Sequence, residues 1–223
     1  MGTAGTARRL KDRLYEQFAR IGKAVASPRR LELLEILAQG ERTVEALARE
    51  TALSVANASH HLQALREARL VEARKEGLYV YYRLADPDVF EFTRMIRVLA
   101  ERRLAEVDRI VRTYLADRDR LEPIGRQELL ERAQAGTVLV LDVRPFDEYR
   151  AGHVPGAHSV PVEQLERRLR ELQPDKEIVA YCRGPYCVLA FRAVEILRAR
   201  GRAARRLVEG FPEWRAAGLP VET

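Results

Sequence analysis

The stretch Ile178-Val179-Ala180-Tyr181-Cys182-Arg183-Gly184-Pro185-Tyr186-Cys187-Val188 decides how the C-terminal half is read. Four apolar residues end at a cysteine, Gly184 and Pro185 interrupt the run, and a helical pattern resumes at Val188. This is a buried strand, a short loop and a helix start. Such a loop can turn successive backbone N–H groups inward and form an anion cradle above a helix N-terminus. A thiol held there ionises more readily than free cysteine, whose pKa is about 8.5, and Arg183 adds positive charge. The competing reading is an inert cysteine buried at a strand end, against which the turn, the helix start and Arg183 all weigh.

Working outward, Val138-Leu139-Val140-Leu141 is a second short apolar run of the same kind. Helical patterns at residues 162–172 and 188–200 lie between and after the two strands. The alternation predicts an α/β layer with a mostly parallel sheet.

The N-terminal half has a different period. Residues 10–26 and 29–38 read as helices, separated by Ser27-Pro28, a good cap followed by a residue tolerated in a first turn. A short helix at 44–50 and a longer one at 55–68 flank Thr51-Ala52-Leu53-Ser54, which is helix-turn-helix form. In the longer helix Val55, Ala58, Leu62 and Leu65 form the expected inward stripe. Ser54, Ala56, Asn57, Ser59, His60 and Gln63 then face outward. Small and amide side chains without Glu or Lys suit a helix entering a groove about 12 Å wide to meet base edges. Two strands follow, at 71–74 and 79–84, around Lys75-Glu76-Gly77-Leu78. Their Arg74, Lys75 and Arg83 are placed to meet phosphates beside the groove. Tyr79, Tyr81 and Tyr82 are expected to pack the hairpin down.

A final helix is expected over 89–115. Its apolar Phe92, Ile96, Leu99, Leu104, Val107, Ile110, Val111 and Tyr114 exceed what a lone surface helix needs. Paired with Leu14, Phe18, Ile21 and Val25 of the first helix, they suggest a helix–helix dimer seam, with packing inside the domain as the alternative. The charged run Asp117-Arg118-Asp119-Arg120 marks the expected boundary, giving domains at 1–120 and 121–223.

A chain of 223 residues with 47% hydrophobic residues has room for two such cores. The net charge of +6 is uneven, with 23 Lys/Arg against 18 Asp/Glu in residues 1–120 and 16 against 15 in the remainder. That bias is compatible with a phosphate backbone as partner and too small to establish one. No stretch approaches the roughly 18 consecutive apolar residues of a membrane span, and the N-terminal residues lack the apolar segment of a signal peptide. A cytoplasmic protein with no membrane partner is expected. The two cysteines lie six residues apart or less, which points to catalysis, metal or redox sensing rather than a secreted scaffold.

On Ser59-His60-His61-Leu62-Gln63-Ala64-Leu65-Arg66-Glu67-Ala68, Leu70-Val71 and Gly77-Leu78-Tyr79-Val80-Tyr81-Tyr82-Arg83-Leu84, residues 10–115 resemble the ArsR/SmtB family of bacterial repressors. The resemblance implies a winged helix-turn-helix that binds a palindromic double-stranded DNA operator as a homodimer, its first and last helices forming the interface. The family's metal sensors use thiolates, and this half has no cysteine. Its adjacent His60 and His61 point to different sides and make a poor metal pair. Thiolate metal sensing is therefore excluded, and neither metal nor cofactor is expected. Arg69 stands where the family usually has Gly, at a helix end that prefers a left-handed backbone.

The second half resembles single-domain rhodaneses. The resemblance rests on the Cys182 loop, Leu141-Asp142-Val143-Arg144-Pro145 with Glu148-Tyr149, the run Gly152-His153-Val154-Pro155-Gly156-Ala157-His158-Ser159-Val160-Pro161, and Glu209-Gly210-Phe211-Pro212-Glu213-Trp214 with Gly218-Leu219-Pro220. Phe211 stands where a second Gly is usual. The resemblance implies that Cys182 takes sulfane sulfur from thiosulfate or a persulfide and yields it to a thiol acceptor. It also implies that Arg183, Gly184, Pro185, Tyr186 and Cys187 supply the cradle, and that Asp142 and Arg144 are structural ion-pair members. Phosphatases and arsenate reductases of this fold have a loop one residue longer, closed by Arg. Val188 stands there, so phosphate and arsenate chemistry is not expected. Cys187 either meets Cys182, which requires Cα atoms about 4.4–6.8 Å apart, or points into the core.

Two functions follow. In one, a DNA-binding regulator, expected to be a repressor, senses sulfur or redox state through Cys182. In the other, the chain is first a sulfurtransferase and the DNA-binding half only localises it. A silent interaction module is a third possibility, against which the intact Cys182 loop argues.

Overall fold

The computed structural model describes residues 3–115, 122–173 and 175–223, and the side chains from residue 6 onward. The chain divides into two compact units, Met1–Thr93 and Arg94–Thr223. The charged run at 117–120 lies outside the described residues.

The first unit begins with α1 (Thr3–Val25), whose Leu10, Leu14, Tyr15 and Phe18 are exposed and which, from residue 6 onward, buries Ala24 and Val25 at its end. In α2 (Pro28–Leu37), Leu33, Leu34, Ile36 and Leu37 are buried. Ser27 precedes it in extended conformation, but its hydroxyl makes no capping bond; Pro28 starts the helix. The next two helices are capped as their sequences dictate. Thr43 Oγ1 accepts the Ala46 N–H at 3.2 Å to start α3 (Val44–Glu50), and Ser54 Oγ accepts the Asn57 N–H at 3.2 Å to start α4 (Val55–Glu67). Ala58, Leu62 and Leu65 form the buried stripe of α4. Val55 does not join it and is 49% exposed.

Helix α4 ends in a left-handed residue, Arg69, at φ 60°. The Leu70 N–H reaches Leu65 O at 3.0 Å and the Arg69 N–H reaches Arg66 O at 2.9 Å, the paired bonds of a Schellman end. The expected hairpin is present as β2 (Val71–Glu76) and β3 (Tyr79–Leu84), turning at Gly77, φ 60°. A short β1 (Arg42–Thr43) pairs with the far side of β3, so the wing sheet has the order β1-β3-β2. Tyr82 is buried beneath it, whereas Tyr79 is exposed.

In place of one helix over 89–115 there are two, α5 (Pro87–Arg103) and α6 (Ala105–Tyr114). They are separated at Leu104, whose backbone is extended (φ −111°, ψ 103°). No glycine or proline marks this break. Their Phe92, Leu99, Leu104, Ile110 and Tyr114 are exposed, and α6 has no buried residue.

The second unit continues through α7 (Arg126–Gln134), β4 (Val138–Asp142), α8 (Phe146–Ala151) and β5 (His158–Ser159). The predicted helix over 162–172 is replaced by α9 (Leu165–Arg168) between two 3₁₀ turns. Then come β6 (Glu177–Tyr181), α10 (Val188–Ala199), β7 (Ala204–Arg206) and α11 (Phe211–Ala216). The four strands are parallel in the order β5-β4-β6-β7. Alternate residues serve opposite faces: Leu139, Leu141, Ile178 and Ala180 meet α10, while Val138, Val140, Val179 and Tyr181 meet Leu129, Phe211 and Trp214. Burial on both faces explains why these strands read as unbroken apolar runs. From β4 the chain moves to β5 on one side and to β6 on the other. The carboxyl ends of β4 and β6 therefore flank the topological switch point, where open α/β sheets place their ligands.

Candidate functional site

On α4, Ala56, Asn57, His60 and Gln63 are exposed, Ser54 is exposed with its hydroxyl given to the cap, and Ser59 is half-buried. This outward face is short, neutral and continuous, which a groove-reading helix requires. His61, one residue from His60, faces the other way: burial lowers its pKa, helped by the nearby Arg30 charge, and its Nδ1 is enclosed without a hydrogen-bond partner.

The wing cations are not free. Arg74 holds Glu41 through Nε at 2.9 Å and a terminal nitrogen at 2.6 Å, pairs with Glu76, and lies over the Tyr81 ring at 4.5 Å. Arg83 donates twice to Glu72, at 3.0 and 2.6 Å. Lys75 is exposed. Phosphate contact by either arginine therefore means exchanging a carboxylate for a phosphate.

Cys182 follows directly on β6 and is 1% exposed. It is joined by a disulfide to Cys187, the cap residue of α10, with Cα atoms 6.2 Å apart. Of the loop groups assigned to a cradle, Pro185 has no N–H, and that of Cys187 is given to Gly184 O at 3.2 Å.

Two ion pairs that contain fully buried groups belong to the segments around this loop. Asp142 ends β4 and pairs with Arg144 at 2.6 Å, both side chains being 0% exposed. Arg144 also donates to Gly152 O at 2.8 Å, and its guanidinium lies over Phe211. The Tyr181 hydroxyl donates to Asp142 at 2.6 Å and accepts the Val154 N–H, and burial together with the Asp142 charge pushes the phenol pKa well up. Tyr181 is thus a fixed donor, not an acid.

Arg183 reaches Glu148 on α8, whose side chain is fully buried, with Nε 3.0 and 3.1 Å from the two carboxylate oxygens. The positive charge expected beside Cys182 is therefore compensated. Glu148 carries no role that its sequence context reveals. A buried carboxylate 35 residues from its arginine leaves no local signal.

Residues 209–213 also meet this loop. The Phe211 N–H donates to Cys182 O at 3.0 Å, and a side chain on Gly210 would overlap the Arg183–Gly184 peptide. Glycine is required there because one backbone lies directly on the other. Glu213 accepts the Gly210 N–H at 3.0 Å and pairs with Arg97 of α5 at 2.7 Å. The Tyr186 hydroxyl donates to Glu101, also on α5, at 2.7 Å. Of the loop histidines, His153 is buried and stacked on Tyr149, and His158 is exposed.

Residues 27–73 match the family model of bacterial regulatory proteins of the arsR family, and residues 125–217 match that of the rhodanese-like domain. Across 212 residues the chain is 50% identical to the HTH-type transcriptional regulator Rv0324 of Mycobacterium tuberculosis, covering 95% of this chain and 93% of that protein. The chain belongs to this family of arsR-type transcriptional regulators with a rhodanese-like domain. The regulator's first half is also 34% identical over 90 residues to a probable mercury resistance operon repressor of Streptomyces lividans, covering 40% of this chain and 72% of the repressor. Among solved structures it is similar to the homodimeric winged helix-turn-helix DNA-binding domain of a Mycobacterium bovis protein. That match has 49% identity, a TM-score of 0.40, and covers 42% of this chain and 87% of that one. Both sequence resemblances thus fall in the order in which the two units occur. Among the described residues no helix is long and apolar enough to cross a membrane.

Proposed function

We propose that the regulator binds a double-stranded DNA operator as a homodimer through the outward face of α4, and that sulfane sulfur accepted on Cys182 lowers its affinity for that operator. The observation that carries the sulfur half of this reading is the position of Cys182. It follows directly on β6, before the loop that leads into α10, at the switch point of a parallel sheet, and next to Arg183, which pairs with the buried Glu148. Once the bond to Cys187 is reduced, a small reagent reaching this place meets a thiol whose backbone is held by β6 and by the Phe211 N–H. The exposed Leu10, Leu14 and Phe18 of α1 support the homodimer, because an apolar stripe of this length is buried by a second copy in a helix–helix seam. The absence of thiols from residues 1–120 assigns sulfur input to the second unit. In this reading the protein acts in the cytoplasm and represses its target. A thiol acceptor, or a reductant, restores the DNA-binding form.

The test uses the purified full-length protein and a DNA fragment spanning the region upstream of its own gene. Binding is measured before and after treatment with thiosulfate or a persulfide, in the parent and in Cys182→Ser. Loss of affinity in the parent alone supports sensing. Unchanged affinity, together with thiosulfate-to-cyanide turnover, would instead make the chain a sulfurtransferase that the DNA-binding half localises.

A further inference from the structure

We propose that Cys187 is a resolving thiol, so that the sulfur accepted by Cys182 leaves the protein as hydrosulfide and the loop closes as a Cys182–Cys187 disulfide. This inference rests on the reading of Cys182 as a sulfur acceptor and adds the fate of that sulfur.

The geometry carries it. The two cysteines are anchored on different elements. Cys182 continues β6, its carbonyl held by the Phe211 N–H, and Cys187 is the cap residue of α10, its N–H given to Gly184 O. Their Cα atoms nevertheless lie 6.2 Å apart and their sulfur atoms are bonded, with β6 and α10 both intact. The separation falls within the range of about 4.4–6.8 Å that disulfides span without backbone movement. Loop closure therefore costs neither the strand nor the helix. No other thiol exists in the chain, so a sulfur on Cys182 has a single intramolecular nucleophile to meet, five residues away.

The steps balance. The Cys182 thiolate attacks the outer sulfur of thiosulfate; the sulfur–sulfur bond of the donor breaks, and sulfite leaves. Cys182 then carries a persulfide. The Cys187 thiolate, its proton released to solvent, attacks Sγ of Cys182. The bond from that atom to the outer sulfur breaks, and the outer sulfur departs with the electron pair and takes a proton as hydrosulfide. The two thiols lose two electrons and the sulfane sulfur gains them. A persulfide donor follows the same course, releasing its thiol in place of sulfite. Reset needs a dithiol reductant, which opens the disulfide by thiol exchange and is itself oxidised to a disulfide.

This course differs from ordinary sulfur transfer in what it reports. A persulfide on a lone cysteine waits for an acceptor and hands sulfur on unreduced. A resolving thiol converts the same event into a closed loop containing no added sulfur, with Cys182 no longer a nucleophile. The chain then registers the balance between sulfane sulfur and dithiol reductant, one turnover per reduction.

The full-length protein is reduced, freed of reductant, and treated with thiosulfate and separately with glutathione persulfide. Sulfite and hydrosulfide are assayed in the thiosulfate arm, and intact mass is read after alkylation in both. The parent is expected to release one equivalent each of sulfite and hydrosulfide and to end two hydrogens lighter, with no thiol left to alkylate. Cys187→Ser is expected to gain one sulfur atom, which stays on Cys182, and to release no hydrosulfide. A parent that keeps the added sulfur, or a Cys187→Ser protein that releases hydrosulfide as the parent does, overturns the resolving role while leaving sulfur acceptance standing. If neither donor adds sulfur to Cys187→Ser and the parent releases no sulfite, sulfur acceptance fails as well.

Discussion

The turn that leads into α4 and the loop that leads into α10 both deliver a chain to a helix N-terminus, yet they are built oppositely. The first is closed by the Ser54 hydroxyl and presents its side chains to solvent, and the wing arginines of the same unit are exposed in their ion pairs. The second encloses its reactive atom and rests on ion pairs that contain fully buried groups. In the proposed function the difference matches the size of what each would meet. A polyanion the length of an operator must be met by an exposed face whose ion pairs can exchange. A small sulfur donor can be met by a thiol that the fold conceals and fixes.

The largest contrast concerns charge. Arg144→Ala strands the buried Asp142 carboxylate and is expected to lower the stability of the second unit by about 3–5 kcal/mol. Arg74→Ala removes an exposed pair and should cost less than about 1 kcal/mol, while weakening DNA binding. Denaturant titration of each variant measures both numbers, and similar losses would remove the distinction drawn here. Gly210→Ala comes next. Its methyl group must displace the Arg183–Gly184 peptide, so a loss of about 1–3 kcal/mol is expected, with slower alkylation of the reduced Cys182. Tyr186→Phe removes the hydroxyl bond from the loop to Glu101 of α5. It should leave sulfur uptake unchanged and cut the effect of that sulfur on DNA affinity, measured by the two assays side by side. The smallest effect sharpens the first region: Arg69→Gly should raise stability by about 0.5–1 kcal/mol, because φ 60° suits glycine.

Much of this was legible because periodicity and burial agree. The inward stripe Ala58, Leu62 and Leu65 follows from spacing alone, and the apolar runs around residues 138–141 and 178–181 are strands buried on both faces. Arg69 was legible as a left-handed position only through the resemblance, which has Gly at that helix end. Other features left no pattern. Ala204–Arg206 is a strand of three residues, two of them arginines, and Arg42–Thr43 is a strand of two. Both are fixed by their neighbours rather than by their own composition. The break at Leu104 lacks any helix-breaking residue. At the loop, the Asp142–Arg144 pair was legible through the rhodanese resemblance. The hold of Glu148 on Arg183, and that of Gly210 on the Arg183–Gly184 peptide, arise only when distant segments meet.

The central claim is that sulfur chemistry at Cys182 changes how the first half holds DNA. It is tested most directly by the affinity of the full-length protein for its upstream DNA at fixed salt, reduced and after thiosulfate treatment, in the parent and in Cys182→Ser. The account predicts that treatment weakens the parent about 5-fold or more, within the usual span of allosteric coupling, and leaves Cys182→Ser unchanged. Equal affinity of the treated and reduced parent, with reaction at Cys182 confirmed by sulfite release, would contradict it.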